Sequence, residues 1–145
     1  MDMITEFRGE HWFLSNMSSS RQKVGGLQFS SAEAAFQACK VENVLERGKF
    51  MYMDGWEARK AGRKITLRPH WNEMRLDMME LVIRSKFMGS KQLAQELVKT
   101  RGQYIKHENT WNDTYWGTVN GMGENNLGLI LMSIRNELCE WKDNK

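Results

Sequence analysis

The sequence predicts a mainly α fold, a single compact helical domain over residues 1–145 with a short β-hairpin or extended segment near the N-terminus. Three observations lead there. Apolar residues recur every three to four positions in two long stretches, Trp71 to Phe87 and Leu127 to Trp141, which is the period of an amphipathic helix. A run of strong helix formers follows Ser30-Ser31-Ala32-Glu33. The alternating segment Val24 to Phe29 is short and interrupted by Gly25-Gly26.

In chain order, Phe7-Arg8-Gly9 and Trp12-Phe13-Leu14-Ser15-Asn16-Met17 show no sustained period and lead into a polar stretch, Ser18 to Lys23, that reads as loop and turn. The Gly25-Gly26 pair then suggests a hairpin or a bulged extended piece. The first helix opens on Ser30-x-x-Glu33, a capping-box pattern, and continues through Ala34, Ala35, Phe36, Gln37, Ala38 and Lys40. Phe50 to Ala61 reads as a second short helix, followed by the basic segment Gly62 to Arg68, where Pro69 blocks a helix from running backwards. Trp71, Met74, Met78, Leu81 or Val82 and Phe87 mark the third helix, and Leu93, Leu97 and Val98 a short one over Lys91 to Lys99. From Thr100 to Gly128 the chain is polar and aromatic. Leu127, Ile130 or Leu131, Ile134, Leu138 and Trp141 mark the terminal helix.

A chain of 145 residues can close one core without disulfides or a structural metal. With 41% apolar residues, 27% charged and a single proline, it has the composition of a soluble globular protein. It contains no apolar run near the roughly 20 residues of a spanning helix, and Met1 to Glu6 does not resemble a signal peptide, so a cytoplasmic protein with no membrane partner is expected. Cys39 and Cys139 are far apart and read as reduced, partly buried thiols. A net charge of +3 is compatible with anionic substrates without calling for a nucleic-acid surface. Nothing specifies an oligomeric state. His11, His70 and His107 are isolated, so no metal and no cofactor are expected. No G-x-S-x-G elbow or Cys-His pairing is present. Six tryptophans stand out: some can face a ligand, although a half-buried core position is the better reading for any one of them.

Chemistry has three candidate locations. At Glu33 a cap explains the residue fully, stabilising by about 1 kcal/mol. Phe36, Gln37 and Lys40 follow on the same helix face, however, and would set an aromatic ring, an amide and a cation beside a carboxylate. A helix N-terminus favours the ionised carboxylate, which suits a general base or cation stabiliser better than a general acid. In Asn109 to Gly117 aromatic rings alternate with Asn and Asp. Such a segment can stack a base on Trp116 and supply a second carboxylate in Asp113, with an Asx-turn as the equal structural alternative. Gly121 to Gly128 is glycine-rich and enters the last helix, an arrangement that can offer backbone N–H groups to phosphate, although it is neither a P-loop nor a dinucleotide fingerprint. Arg59, Lys60, Arg63, Lys64 and Arg68 could neutralise phosphates, Arg63 foremost, or form a solvated basic face.

Together these segments resemble the NADAR superfamily of YbiA-like N-glycosidases over nearly the whole chain. The resemblance is carried by Phe7-Arg8-Gly9, Leu14-Ser15-Asn16-Met17, Glu33-x-x-Phe36-Gln37-x-x-Lys40, Ala61-Gly62-Arg63, Trp71, Lys86-Phe87 and Thr100. It continues through Asn112-Asp113-Thr114-Tyr115-Trp116-Gly117 and Gly121-x-Gly123-x-Asn125-x-Leu127-Gly128-x-Ile130-Leu131-Met132 to Arg135.

The resemblance implies a YbiA-like helical fold and a metal-independent N-glycoside hydrolase without a cofactor. Its substrate would be a small nucleotide-like N-riboside bearing phosphate, or ADP-ribosylated nucleic acid. It raises Glu33 from cap to catalyst, with Asp113 as second carboxylate. It implies substrate-binding roles for Arg8, Ser15, Asn16, Phe36, Gln37, Lys40, Arg63, Trp71, Trp116, Gly117, Gly123 and Asn125. The chain departs from the family pattern at Ala34-Ala35, where bulkier residues are usual and a wider pocket would follow, and at His107 or Glu108, where a family glutamate is replaced or displaced. The rival is a non-catalytic module binding NAD, ADP-ribose or nucleic acid through the same residues.

Overall fold

The computed structural model describes residues 2–143. In chain order its elements are β1 (Met3–Ile4), a 3₁₀ turn (Gly9–Leu14), β2 (Ser19–Val24), β3 (Leu27–Ser31), α1 (Ala32–Ala38), α2 (Val44–Lys49), a 3₁₀ turn (Phe50–Tyr52), α3 (Gly55–Gly62), α4 (Trp71–Met88), α5 (Lys91–Val98), β4 (Tyr104–Ile105) and α6 (Asn126–Asp143). The fold is mainly helical, with an N-terminal hairpin, as the sequence predicts. Asn16–Ser90 forms one compact unit, and the described residues on either side of it form a second.

In the central unit, Gly25 and Gly26 turn the chain with φ of +60° and +82°, the left-handed conformation that a two-residue hairpin turn needs and that glycine adopts without strain. β2 and β3 pair antiparallel from Val24↔Leu27 outward, with an irregularity between Ser19 and Gln22. The polar stretch before Val24 is therefore a strand and not the loop expected for Ser18 to Lys23. Its buried Gln22 donates to Phe29 O, so a polar side chain occupies the position where an apolar one would have signalled a strand.

β3 runs directly into α1, and all seven residues of α1 are buried. Ala32, Ala34, Ala35 and Ala38 let β3, α3 and α4 close around it. Beyond Ala38 the helix gives way to a turn at Cys39 and Lys40, short of the expected Lys40. α2 is capped by Asn43, whose Oδ1 accepts from Leu45 N and Glu46 N; the sequence reading has no helix there. The single helix expected over Phe50 to Ala61 is a 3₁₀ turn and then α3, which Asp54 and Glu57 start with a reciprocal capping box. α4 buries Trp71, Met79, Val82, Ile83, Lys86 and Phe87.

In the second unit β1 lies parallel to β4, pairing Met3↔Tyr104 and Ile4↔Ile105. Ile4, Phe7, Leu14, Leu97, Ile105, Leu127, Ile130, Leu131, Ile134 and Leu138 form its core. Buried Arg135 on α6 donates to Thr100 O at 2.9 Å, Thr100 Oγ1 at 3.2 Å and Gln103 O at 2.7 Å, fastening the turn after α5. Among the described residues no helix is long and apolar enough to cross a membrane.

Lys86 is fully buried, its Nζ 3.1 Å from Ser18 Oγ and 5.2 Å from the Phe87 ring centroid. Burial pushes its pKa from 10.5 down to about 7. The folded protein therefore holds this proton less tightly than the unfolded chain. The cost of charging Lys86 is fully present below pH 7 and is relieved as pH rises from about 7 towards 10.5. The thermal midpoint of Lys86→Met should exceed that of wild type at pH 6, with the advantage shrinking by pH 9.5. A pH-independent difference between the two proteins, followed by circular dichroism, would contradict this account.

Candidate functional site

Ser31, not Ser30, caps α1: its hydroxyl accepts from Ala34 N at 3.0 Å, while Ser30 Oγ donates to Met53 O. That one-residue shift decides how Glu33 is read. The third helical position is now Ala34, which has no carboxylate to reach back, so no capping box forms and Glu33 is free of that role. Its side chain is buried and turned to other partners. Gln37 Nε2 donates to Glu33 Oε1 at 2.9 Å, and Arg59 Nε, from α3, lies 3.4 Å from the same oxygen. Glu33 N donates to Asn16 O at 2.9 Å, which ties the chain before β2 to the first turn of α1.

The expected same-face neighbours are present. Phe36 meets Trp71 with ring centroids 5.4 Å apart, and Lys40 Nζ sits 5.7 Å over the Phe36 ring. Partial burial pushes the Lys40 pKa down, and the nearby Glu33 charge pulls it back up. Asn16 Nδ2 faces Met79 Sδ, while Asn16 Oδ1 and Gln37 Oε1 are buried acceptors without a donor. Gln37 is held from behind by Gly62, since a Cβ at that position would collide with Gln37 Oε1. The central unit thus sets Gln37 and Arg59 on the buried Glu33 carboxylate and Lys40 within reach of its charge, with Phe36 between Lys40 and Trp71 and Asn16 bonded to the Glu33 backbone. Trp71 is only 7% exposed, so it supports Phe36 and presents no open stacking face.

Arg63 is exposed at the C-cap of α3, its N–H on Lys60 O, and it is Arg59 one turn earlier that reaches Glu33. The sequence shows a basic run here, but which cation meets a carboxylate 26 positions away depends on how α3 crosses α1. Ala34 and Ala35 are both fully buried, so the space left by their small side chains is filled by packing and does not widen a pocket.

In the second unit the expected residues are committed mostly to the loop itself. Asp113 Oδ1 accepts from Tyr115 N at 3.1 Å and Trp116 N at 2.9 Å, an Asx-turn, which realises the structural alternative to a catalytic carboxylate. Half-buried Trp116 meets Tyr115 edge-on at 4.7 Å. The glycine-rich loop does not offer a row of free amides. Met122 N, Glu124 N, Asn125 N, Asn126 N and Leu127 N donate to backbone carbonyls, and Gly121 N to Glu108 Oε1. Those donors are used within the loop, which counts against a phosphate cradle built from them. Glu108 also takes Asn120 N and the Thr118 hydroxyl, and these bonds hold its carboxyl below the usual range.

Asn125 accepts from His107 N at 2.9 Å and donates to Ile105 O at 3.0 Å. Gly117 and Gly123 sit where a Cβ would strike His107 O and Gly117 O respectively. Gly123 and Asn125 still line a cavity of about 410 Å³ with Tyr104, Lys106 and Thr118. Arg8 is exposed beside the first 3₁₀ turn, and Ser15 closes that turn through its N–H to Trp12 O. Four tryptophans, Trp12, Trp56, Trp111 and Trp141, are exposed, against the expectation of half-buried core positions.

A sequence model of the NADAR domain family matches residues 5–139. The chain belongs to the NADAR domain family. It is 33% identical over 134 residues to a riboflavin biosynthesis protein of Vibrio vulnificus, a match covering 90% of this chain and 36% of that protein. It is 31% identical over 129 residues to the N-glycosidase YbiA of Escherichia coli, covering 86% of this chain and 80% of YbiA. The chain therefore spans about a third of the Vibrio relative and four fifths of YbiA. Its structure superimposes on the NMR structure of E. coli YbiA with a TM-score of 0.85 at 28% identity, covering 100% of this chain and 90% of the other. This NADAR chain has the YbiA fold.

Two substitutions separate the parts of this arrangement. Gly62→Ala should drive Gln37 off Glu33 and cost about 1–3 kcal/mol by overpacking, read from urea unfolding; an unchanged midpoint would contradict the clash. Asn125→Ala leaves His107 N–H and Ile105 C=O without their partner, and a loss of about 2–4 kcal/mol is expected. Amide exchange at His107 should accelerate with it, and protection equal to wild type would rule out the clamp.

Proposed function

We propose that this NADAR protein is an N-glycosidase that hydrolyses the ribose C1–N bond of a phosphorylated N-riboside. The candidate substrates are ADP-ribose-linked guanine in nucleic acid, an ADP-ribose- or NAD-related nucleotide, and an early riboflavin-pathway ribosylaminopyrimidine. The observation that carries the proposal is the Glu33 carboxylate, buried in the first turn of α1, unused as a cap and compensated by Gln37 and a single contact to Arg59. The names of the relatives, two N-glycosidases and a riboflavin biosynthesis protein among them, support N-glycosidase chemistry and, of the three candidates, the riboflavin-pathway substrate.

Breaking the C1–N bond builds positive charge on the ribose ring and negative charge on the departing base. A carboxylate fixed in a site of low dielectric stabilises the first strongly, because it needs no reorganisation at the moment of reaction. Glu33 stands beside C1, stabilises the oxocarbenium and orients the attacking water, whose oxygen bonds to C1 as the C1–N bond breaks. The water gives up one proton and the base gains one on its nitrogen. Phe36 and its support Trp71 wall the sugar side, Gln37 fixes the carboxylate rotamer, and Lys40 adds positive charge for the phosphate or the departing base. Residues of this chain alone perform these steps, without a metal.

The test is a substrate panel followed by mass spectrometry: a ribosylaminopyrimidine phosphate, NAD, ADP-ribose, and ADP-ribosylated guanine in DNA and RNA. At least one should release its base. On that substrate Glu33→Gln should lower kcat by about 100-fold or more while circular dichroism stays that of wild type. Stoichiometric binding with no product on any panel member would instead support the non-catalytic module, and full activity in Glu33→Gln would remove Glu33 from the mechanism.

A further inference from the structure

We propose that Arg59 is the phosphate-binding residue of this site, and that it masks Glu33 until a phosphate draws it away. The inference rests on the reading of Glu33 given above.

The geometry of the resting pair is the starting point. Arg59 touches Glu33 through one nitrogen, Nε, at 3.4 Å, the long end of a hydrogen bond. A committed arginine–carboxylate pair is bidentate and about 2.7–2.9 Å. A second nitrogen, Nη2, faces Met17 Sδ at 3.5 Å, and a thioether is a weak acceptor. Most of the five N–H donors of the guanidinium therefore have no strong partner. The group also lies 5.4 Å over the indole of Trp56, which is 61% exposed. An indole face holds a guanidinium without occupying its in-plane donors.

Exposure gives the pair a direction. The Arg59 side chain is 37% exposed and that of Glu33 is 9% exposed, so solvent reaches the cation while the carboxylate stays inside. An anion arriving from solvent meets Arg59 first. A phosphate offers two oxygens at the spacing of the arginine fork, and the guanidinium gains two charge-assisted bonds in exchange for one long contact. Trp56 supports the group in both positions.

The exchange matters for chemistry because an arginine on a carboxylate offsets the negative charge that an oxocarbenium needs. With Arg59 on the phosphate, the full charge of Glu33 faces the sugar. Substrates without phosphate meet a carboxylate still paired. Arg59 thereby makes phosphate a condition for turnover as well as for binding, a specificity device that exposed Arg63 is not placed to supply.

Two measurements on the full chain test this. The first needs no turnover: inorganic phosphate is titrated and followed by ³¹P NMR line broadening. Wild type should bind it, Arg59→Ala should bind roughly tenfold more weakly or worse, and Glu33→Gln should bind several-fold more tightly, because the competing carboxylate is gone. Equal affinity in all three proteins, or weaker binding in Glu33→Gln, would overturn the proposal. The second uses whichever phosphorylated riboside the panel identifies, together with the same riboside lacking its phosphate. Arg59→Ala should lose roughly a hundredfold in kcat/KM on the phosphorylated substrate and exceed wild type on the other, because the mask on Glu33 is gone. An equal loss on both substrates would mark Arg59 as merely structural and overturn the proposal. If no riboside is cleaved, the glycosidase reading fails while the phosphate titration still decides the role of Arg59.

Discussion

A carboxylate taken out of water has to be compensated, and the compensation of Glu33 organises the central unit of this chain. The sheet-to-helix junction sets the problem. β3 feeds straight into α1, the serine that caps the helix is the last residue of the strand, and the second residue of the helix is then an acid facing inward. Burial of an unpaired carboxylate would cost several kcal/mol. Gln37 one turn on and Arg59 from α3 reduce that cost, but incompletely, since one bond is an amide and the other is long. A carboxylate left partly compensated is one that can still stabilise a developing cation. The alanines of α1 belong to the same arrangement, because only small side chains let α3 approach closely enough for Arg59 to reach across.

The second unit resolves its polar groups in the opposite way. Asp113, Glu108 and Asn125 each accept from backbone N–H groups of nearby residues, and the amides of Gly121 to Leu127 are largely satisfied within the loop. Groups so occupied stiffen the chain from Asn109 to α6 and hold Trp116 against Tyr115. Carboxylates of similar appearance in the sequence thus divide by their partners: Asp113 Oδ1 and both oxygens of Glu108 accept local bonds, most of them from backbone N–H groups, and Glu33 has one amide and one long arginine contact.

That division also explains what the sequence could and could not disclose. The 3.6-residue period of α4 and α6 and the Gly-Gly turn are local signals, and the helices and hairpin they mark are found where the pattern places them. β2 was hidden because its inward position is Gln22, a polar residue whose bonds exist only in the folded hairpin. The Ser30 or Ser31 choice was hidden because Ser-Ser offers two caps one residue apart, and only the strand register, with Ser31 paired to Ser19, selects between them. A one-residue difference at a helix start is ordinarily of no account. Here it turns Glu33 from a cap into a buried charge. Arg59 on α3 and Arg63 at its C-cap are one turn apart, and no spacing rule states which of them faces Glu33.

These dependencies order the site from inside out. The register of the hairpin fixes the cap, the cap fixes which way Glu33 points, and the close contact of α1 with α3 decides that Arg59 meets it. Gly62 belongs to this chain of constraints as firmly as the charged residues do, because any side chain there would move Gln37 and with it the rotamer of Glu33. The joining of an alanine-rich helix bearing Glu, Gln and Lys to Gly62 therefore has a physical basis in packing. The glycine keeps the acid in place, and the partner cation comes from the turn before.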